Sequence, residues 1–164
     1  MMGNSALKLE PNETNVIADQ AMRSLVGYNI KRAYMALAPA AQQVLSRHSM
    51  RLQTLTCLSV IAENSGIAPS ALAEYLRVER SNLVSTIDEL EKLGLVVRER
   101  SQEDRRRFAL YLTDAGREAY ERAHSDTLAS EAPFLAQLSE EDCRLLNALL
   151  ARIEQAAGAG SSND

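Results

Sequence analysis

The sequence predicts a mainly α-helical chain interrupted by one small β-hairpin. Three observations carry this. Apolar residues recur at helical spacing through most of the 164 residues. After Gly94 the period changes to two short runs, Leu95-Val96-Val97-Arg98-Glu99-Arg100 and Phe108-Ala109-Leu110-Tyr111-Leu112, rich in β-branched, aromatic and aliphatic residues. Between the runs stands Ser101-Gln102-Glu103-Asp104-Arg105-Arg106-Arg107, a charged loop that forms the tip of the expected hairpin.

The elements follow in order. Residues 1–12 are polar, include Pro11 and read as a tail. Val16, Ile17, Leu25, Val26, Ile30, Ala33, Tyr34 and Leu37 keep one apolar stripe, predicting a helix from about Asn15 to Leu37. Pro39 is expected to interrupt it, with a shorter helix over 40–47. Ser49 is a candidate cap for the next helix, whose apolar positions are Leu52, Leu55, Leu58, Val60 and Ile61. Pro69-Ser70 opens a short helix carrying Leu72, Ala73 and Leu76.

The helix over 79–92 is closed by Gly94. On a helical wheel Leu83, Val84, Ile87 and Leu90 share one face, and Ser81, Asn82, Ser85 and Glu89 point the other way. Thr113 caps a further helix expected to end near Ala132, before Pro133. Ser139-Glu140-Glu141-Asp142 is a capping box for the last helix, striped by Leu145, Leu146, Leu149, Leu150 and Ile153. The glycine- and serine-rich end reads as a second tail. The expected organisation is therefore 1–12 tail, 13–48 N-terminal helix region, 49–112 central lobe of helices and hairpin, 113–157 C-terminal helices and 158–164 tail; the functions of these parts, a DNA-binding lobe between two dimerisation regions, come from the lobe's architecture and the resemblance given below.

Two helices followed by a hairpin over 49–112 make a winged helix-turn-helix lobe. In such a lobe the second helix enters the major groove, where base edges carry a distinct donor and acceptor code. The wing reaches the neighbouring minor groove, whose negative potential attracts arginine. Charge follows this plan. Net charge is −4, yet 77–107 carries +1 against −5 for the remainder, and 15 arginines far outnumber 3 lysines. Arginine suits forked contacts to phosphates and bases.

At these residues the chain resembles the MarR family of transcription regulators. Ser70-Ala71-Leu72-Ala73-Glu74-Tyr75-Leu76, Val78-Glu79-Arg80-Ser81-Asn82-Leu83-Val84 and Leu90-Glu91-Lys92-Leu93-Gly94-Leu95-Val96 look like the family's DNA-binding lobe. The wing motif D-x-R-x-x-x-L-x-L-T-x-x-G is matched at Asp104, Arg106, Leu110, Leu112, Thr113 and Gly116.

The resemblance implies a homodimer built by the terminal helices, bound to double-stranded DNA at an inverted-repeat operator. It implies that Arg106 enters the minor groove while Asp104 holds it, with Arg105 and Arg107 beside it. A solvated charged loop is the bland alternative. Ser81, Asn82 and Ser85 are the candidate base or phosphate contacts, and Arg80 and Arg77 the candidate phosphate grips. Arg98 and Arg100 serve either DNA or nearby acids.

The resemblance also implies a small-molecule effector, often aromatic and anionic, that releases a repressor from DNA. Arg23, Tyr28, Arg32, Tyr34 and His48 are its candidate ligand residues; packing of the tyrosines and solvation of the arginines is the plain alternative. Gly27-Tyr28-Asn29-Ile30-Lys31-Arg32-Ala33-Tyr34 looks somewhat like the first helix of regulators of phenolic-acid breakdown, some of which respond to hydroxycinnamoyl-CoA thioesters.

Other classes are weaker. Cys57 and Cys143 belong to no ligand pattern, and His48 and His124 are lone, so no metal or cofactor is expected. Two buried thiols are the first reading of the cysteines, and a redox sensor the second. No nucleophile–base pairing or phosphate loop suggests an enzyme. A winged-helix module that binds protein instead of DNA is the competing reading; three adjacent arginines at the wing tip argue against it. The chain shows no signal peptide and no bilayer-spanning run, so a cytoplasmic protein without a membrane partner is expected.

Overall fold

The computed structural model describes residues 18–100 and 107–160, with side chains described as far as residue 156. Its order is α1 (Gln20–Arg23), α2 (Val26–Arg47), α3 (Leu52–Glu63), α4 (Pro69–Leu76), α5 (Arg80–Lys92), β1 (Val96–Arg100), β2 (Phe108–Leu112), α6 (Asp114–Leu135) and α7 (Glu140–Gly160). The fold is mostly helical with a two-stranded antiparallel hairpin, as the periodicity predicts. Among the described residues, no helix is long and apolar enough to cross a membrane. The chain divides into two compact units at Met35/Ala36, within α2.

In the first unit the expected single helix is broken at Ser24-Leu25. Ser24 donates its hydroxyl to the Ala21 carbonyl at 2.8 Å, and the Asn29 amide donates to the Arg23 carbonyl at 2.8 Å. These side chains satisfy carbonyls that a continuing helix would have used. The expected start at Asn15–Ile17 lies outside the described residues.

Pro39 does not end the helix: α2 runs through it to Arg47. A proline removes one backbone bond, and Ala36, Ala38, Ala40 and Ala41 around it are strong helix formers. In the second unit, Pro133 is likewise absorbed near the end of α6, which continues to Leu135. The last helix extends to Gly160, into the stretch read as a tail.

Ser49 closes α2 and does not cap α3. Its φ of 54° is left-handed. The Ser49 N–H donates to Ser46 and the Met50 N–H to Leu45, the paired bonds of a helix C-terminus. Arg51 precedes α3 without a side-chain cap.

The core of the second unit is built by Leu45, Leu55, Leu58, Ile61, Leu72, Leu83, Ile87, Leu90, Val96, Leu110 and Ala123. Cys57 lies fully within it, and burial pushes its thiol up to about 11. The hairpin pairs Val96 with Leu112 and Arg100 with Phe108. Its return strand is stitched to the α3–α4 turn: Gly66 donates to the Leu110 carbonyl at 2.9 Å, and Leu110 donates to Ile67 at 3.0 Å. The wing base is thus fixed to the helical core.

The junction after the hairpin explains the T-x-x-G part of the motif. Thr113 Oγ1 donates to the Gly94 carbonyl at 2.6 Å and accepts from the Gly116 N–H at 2.9 Å. One side chain therefore caps α6 and ties it to the end of α5. Gly116 packs directly on the backbone, and a Cβ there would lie 1.9 Å from the Leu95 oxygen.

Candidate nucleic-acid interface

A groove-reading helix needs one face anchored and the other free. In α5, Leu83, Ile87 and Leu90 are buried at 1% exposure each. Arg80, Ser81, Asn82, Ser85 and Glu89 are exposed. Val84 differs from its expected place on the buried face: it is 46% exposed. The buried stripe is centred on Leu83, Ile87 and Leu90. One further residue rotates the chain by ~100°, which carries Val84 to the stripe's edge and into solvent.

The helix ends are set by the backbone. At its C-terminus the Gly94 N–H donates to Glu91 and the Leu95 N–H to Leu90, both at 2.9 Å, with Gly94 left-handed at φ 70°. At its N-terminus Glu79 supplies no side-chain cap. The Glu79 side chain therefore leaves the first N–H groups of α5 uncapped, at the helix end where the dipole favours a negative group.

The turn before α5 holds Arg77 at φ 52°, a conformation in which glycine is the usual occupant. Its N–H donates to Glu74 and the next N–H, from Val78, donates to Ala73, both at 3.1 Å. Arg77 and Arg80 line one open groove together with Ser70, Glu74, Glu79 and Ser81. Two arginines and an open helix end therefore share this groove with two carboxylates.

The hydroxyls have local partners. Ser85 Oγ donates to the Ser81 carbonyl at 3.2 Å, and Thr86 Oγ1 donates to the Asn82 carbonyl at 3.1 Å. In this rotamer Ser85 presents lone pairs outward, as an acceptor.

Arg98 resolves to an acid partner. It pairs through a terminal nitrogen with Asp88, and its Nε lies 3.0 Å from Glu91 Oε2. The Nε contact is an ion pair without hydrogen-bond alignment. The Arg98 backbone N–H also donates to Glu91 Oε1 at 3.1 Å. Strand β1 is thereby clamped to α5, and the charge of two α5 carboxylates is partly offset. The Arg100 guanidinium lies 4.9 Å from the Phe108 ring centre, across the strand pair.

Arg107 is exposed where the loop rejoins β2. Asp104, Arg105 and Arg106 lie outside the described residues.

The expected ligand residues fall in two places. In the first unit Arg23, Tyr28 and Arg32 gather about Asp19, a residue sequence reasoning missed. Tyr28 Oη donates to Asp19 Oδ2 at 2.7 Å, and Arg23 Nε lies 3.0 Å from the same oxygen. The Tyr28 hydrogen bond, then Arg23, hold the Asp19 carboxyl below its usual range, and Arg32 adds to this through space. Asp19 in turn raises the Tyr28 phenol. Arg23 also lies over the Tyr28 ring at 5.6 Å. Tyr34 is exposed. In the second unit His48 Nε2 lies 2.8 Å from Asp126 Oδ2. A four-residue α1 with few apolar positions gave no signal for the Asp19 cluster.

Comparison with known proteins matches this geometry. The family model described as MarR family matches residues 48–107, from the residue before Ser49 to the end of the wing loop. A protein described as the transcriptional regulatory protein for the hcr operon of Thauera aromatica is 32% identical over 134 residues, spanning 81% of each chain. The transcriptional repressor CouR, solved on a 23-mer DNA duplex, superposes with a TM-score of 0.72 at 30% identity, over 86% of this chain and 98% of its own. CouR from Rhodococcus jostii RHA1 bound to p-coumaroyl-CoA shares the fold, with a TM-score of 0.73 at 24% identity over 82% of this chain and 94% of its own. An anchored helix, a wing stitched to the core and a relative alike along four-fifths of its length lead to one assignment: the chain belongs to the MarR family of transcriptional regulators.

Proposed function

We propose that the protein is a homodimeric repressor that binds an inverted-repeat operator and is released by an aromatic acid or its CoA thioester. The observation that carries the DNA reading is the face of α5. Ser81, Asn82 and Ser85 stand exposed opposite the buried Leu83, Ile87 and Leu90, with Arg80 at the helix start and Arg77 in the turn before it. In this reading α5 lies in the major groove and its open N-terminus meets a phosphate. Arg77 and Arg80 grip the backbone, and the wing residues Asp104 to Arg107 serve the minor groove. The DNA-bound CouR relative supports it.

Dimerisation is supported within each unit by apolar side chains left in solvent. The first unit exposes Met22, Leu25, Val26, Ile30, Tyr34 and Met35. The second exposes Leu145, Leu146, Leu149 and Ile153 along α7. Faces of this kind are rarely left open in a monomer. A two-fold dimer presents two copies of α5 to successive half-sites about one helical turn apart.

The effector class rests on CouR bound to p-coumaroyl-CoA and on the cationic and phenolic groups Arg23, Tyr28, Arg32, Tyr34 and His48. Release is a population shift: the ligand favours a spacing of the two recognition helices that no longer fits the operator.

The test is fluorescence anisotropy of a labelled duplex from the region upstream of the gene, at two salt concentrations, with wild type and Arg106→Ala. Tight, salt-sensitive binding weakened by the substitution supports the reading. Absence of binding by folded dimer overturns it for that duplex, and selection from random DNA then decides whether any duplex binds. Calorimetric titration with p-coumarate and p-coumaroyl-CoA tests the effector; no heat from either removes that ligand class.

A further inference from the structure

We infer that Val84 reads the C5 methyl group of a thymine in each operator half-site. The inference rests on the proposed placement of α5 in the major groove.

Val84 is the apolar exception on that face. The exposed positions around it on α5 are Arg80, Ser81, Asn82, Ser85, Glu89 and Lys92, all polar. A single exposed valine means little by itself, since scattered apolar residues are common on surfaces. Its position is what counts. Val84 stands three residues after Ser81 and four after Arg80, so it neighbours each of them on the helix surface. Leu83, Ile87 and Leu90 hold the backbone beneath it rigid. Arg98 pairs with Asp88, four residues after Val84, and with Glu91, seven after it, which turns these two carboxylates toward β1.

Major-groove base edges offer donors, acceptors and one apolar feature, the thymine methyl. A β-branched side chain at the centre of a groove-facing helix has that methyl as its matching partner. A donor or acceptor placed against Val84 would lose water without gaining a hydrogen bond, so the valine also selects against other bases. Ser85, presenting lone pairs beside it, complements this by accepting from an exocyclic amine.

The experiment substitutes deoxyuridine for thymine, one position at a time, in a duplex enriched from a random pool by the wild-type protein. Deoxyuridine removes only the methyl group. Each duplex is titrated by anisotropy with wild type and with Val84→Ala, whose folding is checked by thermal melting.

For wild type, one thymine per half-site is expected to show about a fourfold rise in Kd when its methyl is removed, equivalent to ~0.8 kcal/mol. The same replacement is expected to leave Val84→Ala unchanged. If wild type and Val84→Ala share the same profile of methyl sensitivity, the assignment of Val84 is overturned while DNA binding stands. If no duplex is enriched by folded wild-type dimer, the placement of α5 falls and the assignment falls with it.

Discussion

Replacing Gly116 with alanine sets two effects of opposite sign against each other. Alanine is the better helix former by ~1 kcal/mol. The added Cβ, however, would sit 1.9 Å from the Leu95 oxygen and 2.8 Å from its carbonyl carbon. Ordinary contact begins near about 3.5 Å, so the first turn of α6 must withdraw by more than ~1 Å. Two bonds cross that gap, Thr113 N–H to Leu95 at 3.1 Å and Thr113 Oγ1 to Gly94 at 2.6 Å. Both would stretch beyond useful length, at ~1 kcal/mol each.

Misfit of α6 against the core adds ~1–3 kcal/mol. The net loss is about 2–4 kcal/mol after the gain in propensity. For a chain of this size that lowers Tm by roughly 5–15 °C. Thermal melting followed by circular dichroism, at fixed protein concentration, reads it. Gly27→Ala supplies the contrast, because nothing lies within 4 Å of its added Cβ; it should raise Tm slightly. An unchanged or raised Tm for Gly116→Ala would refute the reasoning, because propensity would then outweigh the close approach.

Arg77→Gly relieves the left-handed backbone at φ 52° by ~1–2 kcal/mol, partly offset by ~0.4–1 kcal/mol of added chain entropy when unfolded. Tm should hold or rise, while anisotropy shows weaker DNA binding and a salt slope shallower by ~2 for a dimer; loss of stability with unchanged affinity would contradict this. Arg98→Met frees Asp88 and Glu91 on α5 and detaches β1 from it. These groups are partly exposed, so stability should fall by only ~1 kcal/mol, but DNA affinity should fall below wild type most at low salt, with the deficit shrinking as salt screens the freed carboxylates.

Asp142 is held below its usual range by the Ser139 hydroxyl and then by the Ser139 N–H. Its stabilising effect is present above the unfolded value near 3.8 and disappears as pH falls through the lower folded value. Melting curves between pH 3 and 5 should therefore slope less for Asp142→Ala than for wild type; parallel curves would count against the capping box.

The parts of the fold legible in the sequence are those with a local physical signal. The wing motif is one: Leu110 is buried, Thr113 bridges two elements, and Gly116 permits a backbone contact that any side chain would block. The capping box at Ser139–Asp142 is another, and both of its reciprocal bonds form.

Ser49 shows the limit. A serine between two helices suits the start of one or the end of the other, and only the backbone φ, shared with neither neighbour, decides for the end of α2. Pro39 and Pro133 were overruled by the good helix formers around them, an additive effect that a single breaker does not reveal.

Val84 shows the same limit at the site itself. Valine one step from Leu83 fits a helical stripe, and a wheel places it with the core. What leaves it in solvent is that α4 and β1, the elements packed against α5, cover the stripe of Leu83, Ile87 and Leu90 and not the position one residue further round. The residue that pattern alone assigns to the core is thus one that the three-dimensional packing leaves in solvent. Arg98 makes the converse case: a strand arginine that pattern alone leaves available to DNA is turned inward by Asp88 and Glu91, ten and seven residues before it. In the proposed reading α5 therefore divides its labour: Arg98 offsets part of the charge of Asp88 and Glu91, and Arg77 and Arg80 are left as the candidate phosphate grips.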